Sequence, residues 1–218
     1  MEELKQTNQP QQGRIHCLSI IGQIEGHQLL PEDVKSTKYE HVLPLIAAVE
    51  ESPDIDAMLI LLNTMGGDVE AGLAIAEMIA GMSKPTASLI LGGGHSIGVP
   101  LAIAADRSLI APSAAMTVHP VRINGLIIGA PQTYDYLSGM QARISDFVTA
   151  HSRISREHYE RLLSNTSQLA NDVGSILTGR EAVEAGLIDA VGTLEDALAF
   201  LHGETDKTAY AEENHGRN

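Results

Sequence analysis

A serine, a histidine and a pair of glycines carry the chemistry this sequence can do. Ser96 lies in Gly92-Gly93-Gly94-His95-Ser96-Ile97-Gly98. The apolar run at 86–91 before it predicts a buried strand, and the alanine- and leucine-rich run at 99–105 after it predicts a helix. A serine at such a glycine-flanked junction does one of two things. It caps the helix, the commonest job for serine there. Or it is a nucleophile, set where unpaired backbone N–H groups stabilise developing negative charge. His119 closes another apolar run, Met116-Thr117-Val118-His119-Pro120, and the adjacent proline ends that strand. It either projects from the sheet edge as a base or fills a polar pocket at the strand end. Gly66-Gly67 follows an apolar strand at 58–62 and precedes a helix. The pair is a tight turn or a set of N–H donors that can approach a carbonyl. Nucleophile, base and oxyanion donors are the parts of acyl transfer, which also needs a group to orient the base. His95 is adjacent to Ser96, so its side chain points away from it and reads as structural. The other histidines have no metal-ligand spacing, and HExxH, paired cysteines and a Walker A loop are all missing, so no metal, cofactor or P-loop nucleotide is expected.

The elements that must position these residues alternate along the chain. A strand is expected at 15–21, an amphipathic helix over Tyr39–Glu51, a strand at 58–62 and a helix at 69–82. After the Ser96 segment come strands at 108–110 and 115–118. Strands apolar along their whole length, alternating with helices, predict parallel pairing with both faces covered, an α/β fold with right-handed crossovers. The last third differs. A long helical pattern at 132–151 and a shorter one at 156–165 form an arm larger than a compact sheet needs, which suggests an oligomer contact. Thr178-Gly179-Arg180-Glu181 reads as a capping box. A last strand at 187–191 and a helix from 193 through 201 follow.

Composition limits the function classes. The 218 residues suit one core with appendages, and 44% are hydrophobic but only 3% aromatic, so the core is aliphatic. A net charge of −14 argues against a nucleic-acid partner, which needs clustered Lys and Arg. The single cysteine, Cys17, fits a reducing compartment, and the expected location is cytoplasmic. Residues 1–13 are polar without the apolar core of a signal peptide, and no apolar run is long enough to span a bilayer. The expected organisation is a polar N-terminal segment at 1–13, one domain at 14–202 with the arm at about 123–165, and a flexible tail at 203–218.

Together these motifs resemble the ClpP family of serine peptidases. Gly22-Gln23-Ile24-Glu25-Gly26-His27 is similar to the family's G-Q-[VI]-x-x-H, and Leu62-Asn63-Thr64-Met65-Gly66-Gly67-Asp68 to its I-N-S-P-G-G-x. Gly94-His95-Ser96-Ile97-Gly98 resembles G-x-A-A-S-M-G, and Met116-Thr117-Val118-His119-Pro120 resembles M-I-H-Q-P. The four lie in order, the interval from Gly67 to Ser96 fits without a gap, and the likeness covers about residues 14–201. It implies the ClpP/crotonase fold of repeated β-β-α units with a protruding long-helix handle. It implies Ser96 as nucleophile, His119 as general base, and the N–H groups of Gly67 and Ile97 as the oxyanion hole. Gly66, Gly125 and Leu126 would bind substrate, the segment from Gly125 lining the peptide as an added strand. It further implies a peptide or unfolded-protein substrate, homo-oligomeric stacked seven-membered rings, and an AAA+ unfoldase as a candidate partner.

The acid is where the sequence departs from the family. Ile176-Leu177-Thr178-Gly179-Arg180-Glu181-Ala182 matches the segment that follows the family's acid, yet gapless alignment puts Gly174 at the acid position. Asp172, two residues earlier, reaches the site through a small insertion; the alternative is a weakened Ser-His dyad. Met65 and His95 also replace the family's proline and alanine. Two other classes compete with the peptidase: a catalytically weak or silent ring scaffold assisting protein translocation, and a crotonase-type acyl-CoA enzyme.

Overall fold

The computed structural model describes residues 14–123, 125–168 and 173–215. Apolar runs build the sheet: β1 (Ile15–Glu25), β3 (Ala57–Gly67), β4 (Thr86–His95), β5 (Arg107–Ile110) and β6 (Ala115–Val118). Three short strands join them: β2 (Ser36–Lys38), β7 (Ser175–Thr178) and β8 (Ala190–Val191). The main path runs β2-β1-β3-β4-β5-β8, all parallel. This is the mixed α/β architecture expected of the ClpP/crotonase fold.

β4 divides the sheet, and the division makes the site. Its first half, Ala87 to Ile90, pairs with β5, while Gly93 to His95 pair with β6. β6 in turn takes β7 antiparallel. Because β3, β4 and β6 are parallel, their C-terminal ends reach the same edge, where ligands of open α/β sheets bind. Gly67 ends β3, Ser96 follows β4 and His119 follows β6.

Helices α1 (Tyr39–Glu51), α2 (Val69–Ala80) and α3 (Gly98–Ile103) cover one face. Their apolar stripes meet Ile20, Ile60, Leu62 and Ile90 in the main core. Removing each such aliphatic side chain from water stabilises by about 1.5–3 kcal/mol. Gly72 of α2 sets the closeness of this packing, since a Cβ there would lie 2.3 Å from Ile97 Cγ1. On the other face α7 (Leu194–His215) lays Ala197 and Leu201 on Leu59, Leu89 and Leu109. The arm is α4 (Ala130–Ala150) and α5 (Arg156–Leu163). The first half of α4 leaves the body, with Tyr134 and Tyr136 exposed, and its second half returns through Ile144, Phe147 and Val148. α6 (Gly179–Glu184) opens on the expected capping box between Thr178 and Glu181.

Several boundaries differ from the sequence expectations. β1, β3 and β4 run four or five residues further, because Gln23, Ile24, Gly66 and Gly67 continue the β1–β3 ladder past a bulge at Gly22. The tight turn read as one option for Gly66-Gly67 is therefore the end of β3. The last strand is only two residues long. Where a tail is expected from 203, α7 continues to His215, over a run with no proline and several good helix formers. Residues 1–13, 124, 169–172 and 216–218 lie outside the described residues.

Candidate active site

Ser96 occupies a strained turn. With φ at +57° it is the one non-glycine residue in the left-handed region among the described residues, a conformation costing about 1–2 kcal/mol. Two backbone bonds hold it: Ser96 N–H donates to the Thr117 carbonyl at 2.8 Å, and Val99 N–H donates to the Ser96 carbonyl at 3.0 Å. The cap of α3 is Ile97, with no side-chain capping bond. Ser96 is thus not the helix cap. Ser96 instead borders a cavity of about 110 Å³, together with Gly67, Ile97 and His119. A serine on a sharp strand-to-helix turn beside a cavity fits the geometry of a nucleophile elbow.

Gly66 lies behind the serine. A Cβ at Gly66, whose φ is +92°, would fall 2.6 Å from Ser96 Cβ and 3.2 Å from Ser96 Oγ. Its N–H is already engaged by Thr64 Oγ1 at 3.0 Å, and that hydroxyl donates to the Gly22 carbonyl at 2.6 Å. Gly66 therefore backs the turn, and Gly67 reaches the cavity wall. At Gly67 a Cβ would strike the Ile24 carbonyl oxygen at 2.2 Å. Only glycine fits against β1 there.

His119 is oriented by main chain. Its Nδ1 lies 2.7 Å from the Pro120 carbonyl oxygen. A carbonyl only accepts, so Nδ1 carries the hydrogen and Nε2 of the neutral ring holds the free lone pair. That tautomer suits a base acting through Nε2. Among the described residues no carboxylate bonds to His119 and no hydrogen bond joins it to Ser96. Catalytic bonds of this kind often tighten only around substrate.

The position that the family pattern gives to the acid stands directly against His119. Gly174 is so close that a Cβ would lie 2.8 Å from His119 Cβ and 2.5 Å from the Val118 carbonyl oxygen. Its N–H donates to the Asn165 carbonyl at 2.7 Å, so the ends of the intervening loop meet beside the histidine. Asp172, the expected acid, lies on this loop outside the described residues. Gly125 and Leu126 do not border the cavity; Gly125 faces open space and Leu126 is 88% exposed. His95 turns to the opposite side, its Nδ1 2.9 Å from Thr117 Oγ1, and burial pushes its pKa down.

Other cavity residues left no sign in the sequence. Val69 opens α2, Val118 and Val121 flank His119, Ile144 comes from α4 and Tyr159 from α5. Burial pushes the Tyr159 phenol up. On the sequence Ile144 and Tyr159 are ordinary buried-face positions of amphipathic helices. Among the described residues no cluster of His, Cys, Asp and Glu has metal-binding geometry, and no helix is long and apolar enough to cross a membrane.

A serine elbow and a histidine on adjacent parallel strand ends of a branched α/β sheet define a protein of Clp-protease type. The family model described as Clp protease matches residues 12–195, and the chain belongs to that family. It is 54% identical over 203 residues to the translocation-enhancing protein TepA of Halalkalibacterium halodurans, covering 92% of this chain and 79% of that one. It is 28% identical over 140 residues to the ATP-dependent Clp protease proteolytic subunit 1 of Chlamydia muridarum, covering 62% and 69%. The solved structure of a ClpP1 N165D mutant from Listeria monocytogenes has the same fold, with a TM-score of 0.66 at 20% identity over 84% of this chain and 94% of that chain.

Proposed function

We propose that this protein is a serine endopeptidase acting on unfolded polypeptides. Ser96 Oγ attacks the scissile carbonyl as its proton passes to His119 Nε2. The N–H groups of Gly67 and Ile97 bind the oxyanion. Collapse expels the amine, which takes the proton from His119, and water then releases the acyl group by the same route. Asp172 orients His119 by taking over the Nδ1 hydrogen that the Pro120 carbonyl otherwise accepts. The peptide adds as a strand along Gly125 and Leu126, where main-chain bonding tolerates many sequences. Stacked seven-membered rings joined through the handle enclose the sites in the cytoplasm, with an AAA+ unfoldase as a candidate feeder. The name of the TepA relative supports a role in protein export.

The observation that carries the reading is Ser96 itself: strained, not used as a cap, and sharing a cavity with a histidine whose Nδ1 is held. A fluorophosphonate probe tests it. Covalent labelling of Ser96 in the wild type supports the peptidase, whereas an unlabelled serine in the folded protein favours a silent ring scaffold or crotonase-type chemistry.

The scaffold reading has its own support in Gly174, which brings no carboxylate to His119. Asp172→Asn measures how far the acid is missed. With Asp172 as orienter, kcat falls at least about tenfold, towards the 10⁴-fold loss known when a triad acid is neutralised. Unchanged kcat would mean that the Pro120 carbonyl orients the ring unaided, as a Ser-His dyad.

A further inference from the structure

Beside Ser96 the cavity walls mix polar groups, His119, Arg122 and Tyr159 among them, with an apolar side. Val69 at the start of α2 and Ile144 on α4 both border it. The residues next to them form an ion pair. Arg143 Nη1 donates to Glu70 Oε1 at 2.6 Å and Nη2 to Oε2 at 3.1 Å, a two-pronged bridge between the helices that supply the two walls. Among the described residues no other side-chain hydrogen bond joins α2 to α4. The Arg143 bond holds the Glu70 carboxyl below its usual range, so the pair is intact at neutral pH. Side-chain exposures of 55% and 44% leave both partners open to salt.

We propose that the Glu70–Arg143 ion pair is a salt-sensitive clamp that fixes the spacing of Val69 and Ile144, and with it the selectivity for the substrate side chain seated beside Ser96. The proposal rests on the peptidase reading above. Glu70 and Arg143 are positioning residues: they act through their neighbours and touch neither the serine nor its base. Engaged, the clamp holds Val69 and Ile144 as the apolar side of a cavity of about 110 Å³, the side that would receive an aliphatic side chain. Released, Ile144 shifts from Val69 only as far as the core packing of Phe147 and Val148 allows, so that aliphatic side chains lose contact and larger aromatic ones gain entry.

The test uses the full chain and short fluorogenic peptides with leucine or phenylalanine before the cut. An exposed ion pair contributes up to about 1 kcal/mol, which limits the effect to roughly three- to fivefold. The wild-type KM for the leucine peptide should rise by that factor between about 0.05 M and about 0.5 M salt, as screening shortens. Glu70→Gln and Arg143→Gln should show the raised KM at both salt levels, with kcat within about twofold and an increased preference for phenylalanine. The charge-swapped pair Glu70→Arg with Arg143→Glu should recover the leucine preference. Fluorophosphonate labelling of Ser96 should be equally fast in every variant. Normal labelling with KM and salt response unchanged in Glu70→Gln overturns the clamp alone. A wild type that does not label at Ser96 overturns the peptidase reading and the clamp together.

Discussion

Ser96→Ala is expected to abolish peptide hydrolysis and fluorophosphonate labelling while leaving the fold intact. The chemical loss should approach about a million-fold in kcat, leaving only what oxyanion donors and binding sustain. The fold should survive because the hydroxyl caps no helix, and the Cβ that already occupies the left-handed turn is kept. A thermal melt within about 0.5 kcal/mol of wild type would establish that the loss is chemical. Wild-type turnover in this variant would remove Ser96 from the mechanism. The same variant separates peptidase from scaffold in cells. If it sustains the phenotype while changes that break the handle abolish it, the ring and not its chemistry is what the cell uses.

The second large effect concerns the glycine that backs the serine turn. In Gly66→Ala the new Cβ meets Ser96 Cβ at 2.6 Å and the His95 carbonyl oxygen at 2.9 Å, from a backbone with φ at +92°. These atoms are not the ends of flexible side chains, so β3 or the nucleophile turn must move. Left-handed strain of about 1–2 kcal/mol adds to about 1–3 kcal/mol of overpacking. The expected loss is about 2–5 kcal/mol in chemical denaturation. Surviving folded protein should lose about 100-fold in kcat, because displacing a nucleophile by about an ångström suffices for that. Gly139→Ala is the contrasting control. Gly139 lies within α4, has nothing within 4 Å of its would-be Cβ and lacks a positive φ. Alanine there should stabilise the single chain by about 0.4–1 kcal/mol. If both substitutions behaved alike, the close approach of Gly66 to the serine would not constrain the site.

Some features of the site are local, and these were legible. Ser96 sits between a strand pattern and a helix pattern, and His119 sits between a strand and a proline; both signals span fewer than about ten residues. The capping box at Thr178 and Glu181 is likewise local, and the structure forms both of its reciprocal bonds. Features with no periodic signal were missed. β2 is the polar triplet Ser-Thr-Lys, recruited because the end of β1 lacks a partner on that side. β7 forms only because β6 offers it an antiparallel edge.

For this protein, then, the sequence by itself determined the alternation of apolar strands and amphipathic helices, and through its motifs the family and the residues worth suspecting. Tertiary structure decided what surrounds them. It split β4 between two partners, so that Ser96 and His119 meet at one rim from positions 23 residues apart in register-matched strands. It put Ser96 at positive φ against Gly66, set Gly174 against the histidine and bridged Glu70 to Arg143 across 73 residues. The physical reason is the same in each case. Hydrophobic period and capping are written within a few turns of chain, whereas close approach and partner choice depend on which distant strands pair and in what register. A glycine that admits a neighbour leaves no side chain to announce it.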